Sequence, residues 1–70
     1  MRGLLPEERE MLKIFVNHGD PGVRSHLESS TIAGLYFDRR LEFTGHGARM
    51  RLSRFALSAL RIDDFIRRNQ

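Results

Sequence analysis

The reading of the fold begins at RRLEFTGHGARMRLSR, residues 39–54. Leu41 and Phe43 alternate with Arg40, Glu42 and Thr44, while Met50 and Leu52 alternate with Arg49, Arg51 and Ser53. A period of two is the pattern of a half-buried strand, because successive side chains point to opposite faces. Gly45-His46-Gly47 lies between the two runs, and glycine reaches the positive φ that a tight hairpin demands. The stretch therefore reads as a two-stranded hairpin with its apolar face inward. Arg40, Glu42, Thr44, Arg49, Arg51 and Ser53 are expected on the outer face. Five arginines, Arg39, Arg40, Arg49, Arg51 and Arg54, gather on this one ribbon.

Helical signals flank it on both sides. On the N-terminal side, Leu5, Met11, Leu12, Phe15 and Val16 keep helical spacing over residues 6–18. Pro6 suits the first helical turn, Glu7, Glu8 and Glu10 suit the positive end of the dipole, and Gly19 suits the stop. Asp20-Pro21 reads as the cap and first turn of a second, shorter helix through Leu27, with Val23 and Leu27 facing the core. Ser29-Ser30-Thr31 offers another cap, followed by Ile32, Leu35 and Tyr36 at helical spacing. Residues 30–38 read as a third helix, although Gly34 and the alternation of Leu35 with Phe37 leave a strand as the alternative. On the C-terminal side, Ser53 caps a long helix to about Arg68. Its broad apolar face comprises Phe55, Ala56, Ala59, Leu60, Ile62 and Ile66, with Leu57 and Phe65 at the edges. Asp63-Asp64 interrupts that face and is expected to pair with Arg61, Arg67 or Arg68. The fold class is thus α+β: three N-terminal helical segments, a hairpin and a long last helix, in one domain spanning residues 1–70.

A chain of 70 residues supplies a core worth roughly 3–5 kcal/mol of net stability. With no cysteine, disulfides and thiolate zinc sites are both out of reach. No apolar run nears the ~18 residues of a membrane span. Residues 1–5 run straight into Pro6 and a charged segment, unlike a signal peptide, so the expected compartment is the cytoplasm. Charge is uneven. Residues 1–38 carry four basic against six acidic side chains, whereas residues 39–70 carry eight arginines against Glu42, Asp63 and Asp64. Eleven of the twelve basic residues are arginine, whose planar fork suits phosphates and base edges. That bias points to a polyanionic partner.

The residues for catalysis are poorly arranged. His18, His26 and His46 fall in separate elements, without the short spacing of a metal site. Ser25-His26 and Asp63-Asp64 are sequence neighbours, which diverge by about 100° on a helix. Gly45-x-Gly47 precedes a strand instead of a helix and so cannot cradle a nucleotide phosphate. No enzyme, metal or cofactor is expected.

The order of elements, with RLEFTGHGARMRLSRFALSAL at residues 40–60, resembles the wing and following helix of bacterial winged helix-turn-helix regulators. In that pattern a strand ends in Leu-Thr or Leu-Ser and the next helix carries Ala-Leu, places filled here by Leu52-Ser53 and Ala59-Leu60. Phe55 departs from it, standing where the family usually has glycine. The resemblance covers about a third of the chain. It implies a DNA-binding transcriptional regulator in which the third helix enters the major groove, with Ser30, Thr31 and Gly34 near its exposed side. Arg39 and Arg40 would meet phosphates or a base edge, and Arg54 a phosphate. His46, Arg49 and Arg51 would lie along the backbone or the minor groove. The partner is then duplex DNA; separately, an apolar face on the C-terminal helix wider than one core requires points to Leu57 and Phe65 as the contact of a homodimer, with closure of the bottom of the core by Phe65 as the alternative. Two other readings stay open: a protein–protein interaction module using the hairpin and last helix, and an RNA binder stacking bases on Tyr36 or Phe37.

Overall fold

A computed structural model describes residues 3–22 and 25–69. The first helix, α1, spans Pro6–His18 with Pro6 in its first turn. Its N-terminus has no hydroxyl cap; instead Glu8 reaches back, its Oε1 accepting from the Leu5 N–H at 3.0 Å. Met11, Leu12 and Phe15 are buried, whereas Leu5 and Val16, expected in the same stripe, are exposed. Gly19, at φ 79°, ends the helix by donating to the Phe15 carbonyl at 3.1 Å.

The expected short helix from Asp20 to Leu27 does not begin at Asp20: Asp20, Pro21 and Gly22 are not helical, and His26 and Leu27 open the next helix instead. Asp20 Oδ1 accepts from the Gly22 N–H at 2.8 Å, and Oδ2 accepts from the Met50 N–H at 2.7 Å. Both carboxylate oxygens are thereby committed to holding the loop against the hairpin, and Gly22 adopts φ 73°. Val23 lies outside the described residues. The helix that follows, α2, spans His26–Phe37 without interruption. Its cap is Ser25, whose Oγ accepts from the Glu28 N–H at 3.2 Å, in the serine-x-x-glutamate pattern of a capping box. Ser29-Ser30-Thr31 is therefore interior to the helix and caps nothing. Leu27, expected in the core, is 68% exposed. The three N-terminal segments are thus two helices, and the strand alternative for residues 30–38 gives way to helix through Phe37.

Past Phe37 the chain closes a Schellman turn: Arg39 N–H donates to Tyr36 O at 3.0 Å and Arg40 N–H to Leu35 O at 2.8 Å. Arg39 takes the left-handed position at φ 61°, where glycine is usual. Strands β1 (Leu41–Phe43) and β2 (Met50–Leu52) then pair antiparallel, Leu41 with Leu52, Glu42 with Arg51 and Phe43 with Met50. Gly45 and Gly47 both have positive φ in the connection. The last helix, α3, spans Arg54–Arg68.

The core brings Met11, Leu12 and Phe15 of α1 onto Ile32 and Leu35 of α2, with Leu41 of β1 and Ala56 of α3. From α3 only Ala56 and Ala59 are buried; Phe55, Ile62 and Ile66, expected on its inner face, are exposed. Charges fasten α3 to α1. Arg9 Nε stands 3.2 Å from Asp63 Oδ2 and its Nη2 stands 2.6 Å from Asp64 Oδ1. Asp63 also receives Arg67 Nε at 2.9 Å, one turn on.

The expected outer-face position of Arg40 is overturned. Its side chain is buried (2% exposed), with Nη1 4.0 Å from Glu8 Oε1 and 3.9 Å from Asp38 Oδ2. Arg40 lines a small cavity together with Gly3, Leu4, Ala59, Ile62, Asp63 and Ile66. Removing one member of a buried pair strands the other charge out of water, a loss of about 3–5 kcal/mol. That equals the whole net stability of a chain this size. Arg40→Ala is therefore expected to unfold the protein in a urea titration, whereas Glu8→Leu combined with Arg40→Met recovers a cooperative transition. A stable Arg40→Ala variant would show that the contact is dispensable.

Candidate nucleic-acid interface

The exposed face of α2 comprises His26, Ser29, Ser30, Ala33 and Phe37, which recur at three- and four-residue spacing. No acidic residue interrupts it. Ser30 is exposed on this face, but Thr31 points the other way. It is buried, its Oγ1 donating to the Leu27 carbonyl at 2.9 Å, and no groove can reach it. That corrects the expectation drawn from a cap at Ser29-Ser30-Thr31.

The arginines of residues 39–54 fall into separate groups. Arg40 is interior, as described above. Arg51 is exposed on β2 but engaged: its Nε lies 3.2 Å from Oε1 of Glu42, its cross-strand partner. Arg49 is exposed at the hairpin end, beside Asp20, Pro21 and Gly22. His46 is exposed in the turn, its N–H held by Thr44 Oγ1 at 3.1 Å. Arg39 and Arg54 lie at the opposite end of the hairpin, where α2 stops and α3 starts. Neither Arg39, Arg49 nor Arg54 forms an ion pair with another described residue.

Ser53 brings Arg39 and Arg54 to the same place. Its Oγ donates to the Arg39 carbonyl and accepts from the Phe55 N–H at 3.2 Å, while its own N–H donates to Arg40 O at 3.0 Å. One hydroxyl thus caps α3 and anchors the turn after α2. An open groove of about 420 Å³ lies there, lined by Tyr36, Phe37, Arg39, Leu41, Glu42 and Phe55. Tyr36 sits edge-on to Phe37 at 5.6 Å and to Phe43 at 5.2 Å between ring centres. The Arg54 guanidinium rests 5.0 Å over the Phe55 ring, a cation–π contact on one face of that ring.

Phe43 and Phe55 had been assigned to inward-facing stripes, and no signal in the spacing marks them as exposed. Leu57 and Phe65 are both exposed on α3, but eight residues place them about 80° apart round the helix. Phe65 shares its side of α3 more closely with Ile62. Among the described residues no cluster of three metal-binding side chains occurs, and no helix is long and apolar enough to cross a membrane. No family model matches the sequence, and no curated protein or solved structure is similar to it.

Two substitutions test this corner. Ser53→Ala removes a helix cap and is expected to cost about 1–2 kcal/mol in denaturant unfolding. An unchanged midpoint would show that the hydroxyl contributes nothing. Arg39→Gly relieves the left-handed backbone and should raise stability by about 1 kcal/mol; a loss would mean that the arginine side chain itself holds the turn.

Proposed function

We propose that this chain is a small DNA-binding protein of winged-helix type, acting as a regulator on duplex DNA. In that reading α2 serves as the recognition helix and the hairpin as the wing. One observation carries it: the outward face of α2 is small and free of acids, and it ends at an arginine. Ser29, Ser30 and Ala33 let a helix approach base edges closely. Arg39 and Arg54 beyond the end of α2, with Arg49 and His46 at the hairpin turn, supply contacts to the phosphates. Arg40, Arg51 and Thr31 have no part in it, since two are buried and the third is matched by Glu42.

The exposed apolar residues Ile62, Phe65 and Ile66 of α3 favour a second reading, an interaction module that binds protein through this helix. Phe65 stands 67% exposed, and a homodimer formed there would also present two DNA-binding faces to a symmetric site.

Three arginine contacts predict that affinity for duplex DNA falls with salt at a log–log slope of about −3. Fluorescence anisotropy of a labelled duplex measures it. Replacing Arg39, Arg49 and Arg54 together by alanine should flatten the slope while leaving thermal unfolding near the parent value. Absence of duplex binding at low salt removes the DNA reading and favours the interaction module. For that module, Phe65→Glu should split a dimer seen by light scattering; a monomer before the substitution excludes self-association.

A further inference from the structure

The chain has six aromatic side chains; three of them, Tyr36, Phe37 and Phe55, line the groove between the end of α2 and the start of α3, and a fourth, Phe43, packs edge-on against Tyr36. Tyr36, Phe37, Phe43 and Phe55 are each at least 41% exposed, and Phe37 is 79% exposed. Fully burying a phenylalanine contributes about 1.5–3 kcal/mol, a large sum beside the net stability of a chain this small. Leaving four aromatic rings in water at one place runs against folding stability. Clustered exposed apolar surface of this kind marks a binding site.

The charge around the groove identifies what it fits. Arg39 and Arg54 flank the aromatic rings without an ion pair to any described residue. Glu42 is the one acidic residue lining the groove, and its carboxylate is met by Arg51. The first turn of α3 carries no acidic residue, so its positive end is uncompensated. Arg39 also occupies a backbone conformation that glycine would adopt with less strain. Aromatic faces beside guanidinium groups that form no ion pair match a ligand with π faces and phosphates, which is a nucleotide strand. Bases stack on such rings with about 1–3 kcal/mol each, whatever their identity. A paired base inside a duplex has both faces covered by its neighbours and cannot use the groove.

We infer that the groove lined by Tyr36, Phe37, Arg39 and Phe55, with Arg54 beside it over the Phe55 ring, receives an unpaired nucleobase, so that the preferred substrate is duplex DNA continued by a single strand. The inference rests on the DNA-binding reading of the same face and names the form of DNA that the face takes. Phe37 and Phe55 stack on the base, and Arg39 and Arg54 hold its flanking phosphates.

The experiment compares a blunt duplex, the same duplex with a short thymidine tail, and the tail alone, by anisotropy at low salt. The tailed duplex is expected to bind about tenfold tighter than the blunt one. Phe37→Ala with Phe55→Ala should erase that difference, so that this variant binds the tailed and the blunt duplex equally. A second readout avoids dependence on that variant folding. The chain has no tryptophan, so Phe37→Trp introduces a single indole at an exposed position. Its emission should be quenched by the tailed duplex and not by the blunt one. Equal affinities with no quenching overturn the inference and leave duplex binding standing. No binding of any probe overturns both, and leaves the groove to a protein partner. Tail alone binding as tightly as the tailed duplex keeps the stacking site and overturns the duplex reading.

Discussion

The Arg40 guanidinium is out of water, and that constraint organises what surrounds it. A charge in the interior costs several kcal/mol unless opposite charge lies close by. Glu8 and Asp38 supply it from the start of α1 and the end of α2. The backbone of the same residue does more. Its N–H closes the turn after α2 by bonding Leu35, and its carbonyl accepts from Ser53, next to the β1–β2 ladder. Arg40 thus joins α1, α2, the hairpin and the first turn of α3 at one point. With Arg40 turned inward, the residue before it must reverse the chain, and Arg39 does so at positive φ. The exposed corner where Arg39, Phe55 and Arg54 meet follows from a side chain that is itself hidden.

Apolar groups are distributed against the ordinary preference. The buried hydrophobic residues include two alanines and a single aromatic ring, that of Phe15. Larger rings that could have enlarged this core stand on the surface at the ends of α2, β1 and α3. A small chain without cysteine compensates through polar fastenings: Asp20 on β2, Arg9 on Asp63 and Asp64, Ser53 on Arg39 and Phe55. Each joins elements far apart in the chain or satisfies backbone groups at a helix end or turn. Polar bonds of this kind are individually modest, about 0.5–1.5 kcal/mol, but costly to leave half made. Position in the fold, not number, gives them their weight.

Local signals in the chain were strong for α1, the hairpin and α3. Pro6 and Gly19 bound the first helix, alternation around Gly45 and Gly47 marks the ribbon, and Ser53 starts the last helix. Each depends on backbone preferences that act within a few residues. The region between Gly19 and Phe37 is ambiguous because Asp20 and Ser29-Ser30-Thr31 both read as caps, whereas the helix starts at the Ser25-x-x-Glu28 capping box between them. Asp20 instead gives one oxygen to the Met50 N–H, thirty residues on, a contact that no local signal announces. Of the candidate interface, the exposed positions of Ser30, Arg39, Arg49 and Arg54 were legible. The burial of Thr31 was not, since a one-helix α2 turns that residue toward the core.

The sequence by itself determined the classes of element, the bounds of the first helix, the hairpin and the last helix, and the cationic bias of the second half, because short-range periodicity and charge are written residue by residue. Only the tertiary structure decided which arginines face water. Arg40 and Arg51 carry the same group as Arg39 and Arg54, yet one is enclosed with Glu8 and one is matched by Glu42 across the ladder. The grouping of Tyr36, Phe37, Phe43 and Phe55 was likewise decided by how α2, the hairpin and α3 meet. Spacing along a chain reports which side of an element a residue occupies, but not whether another element covers that side.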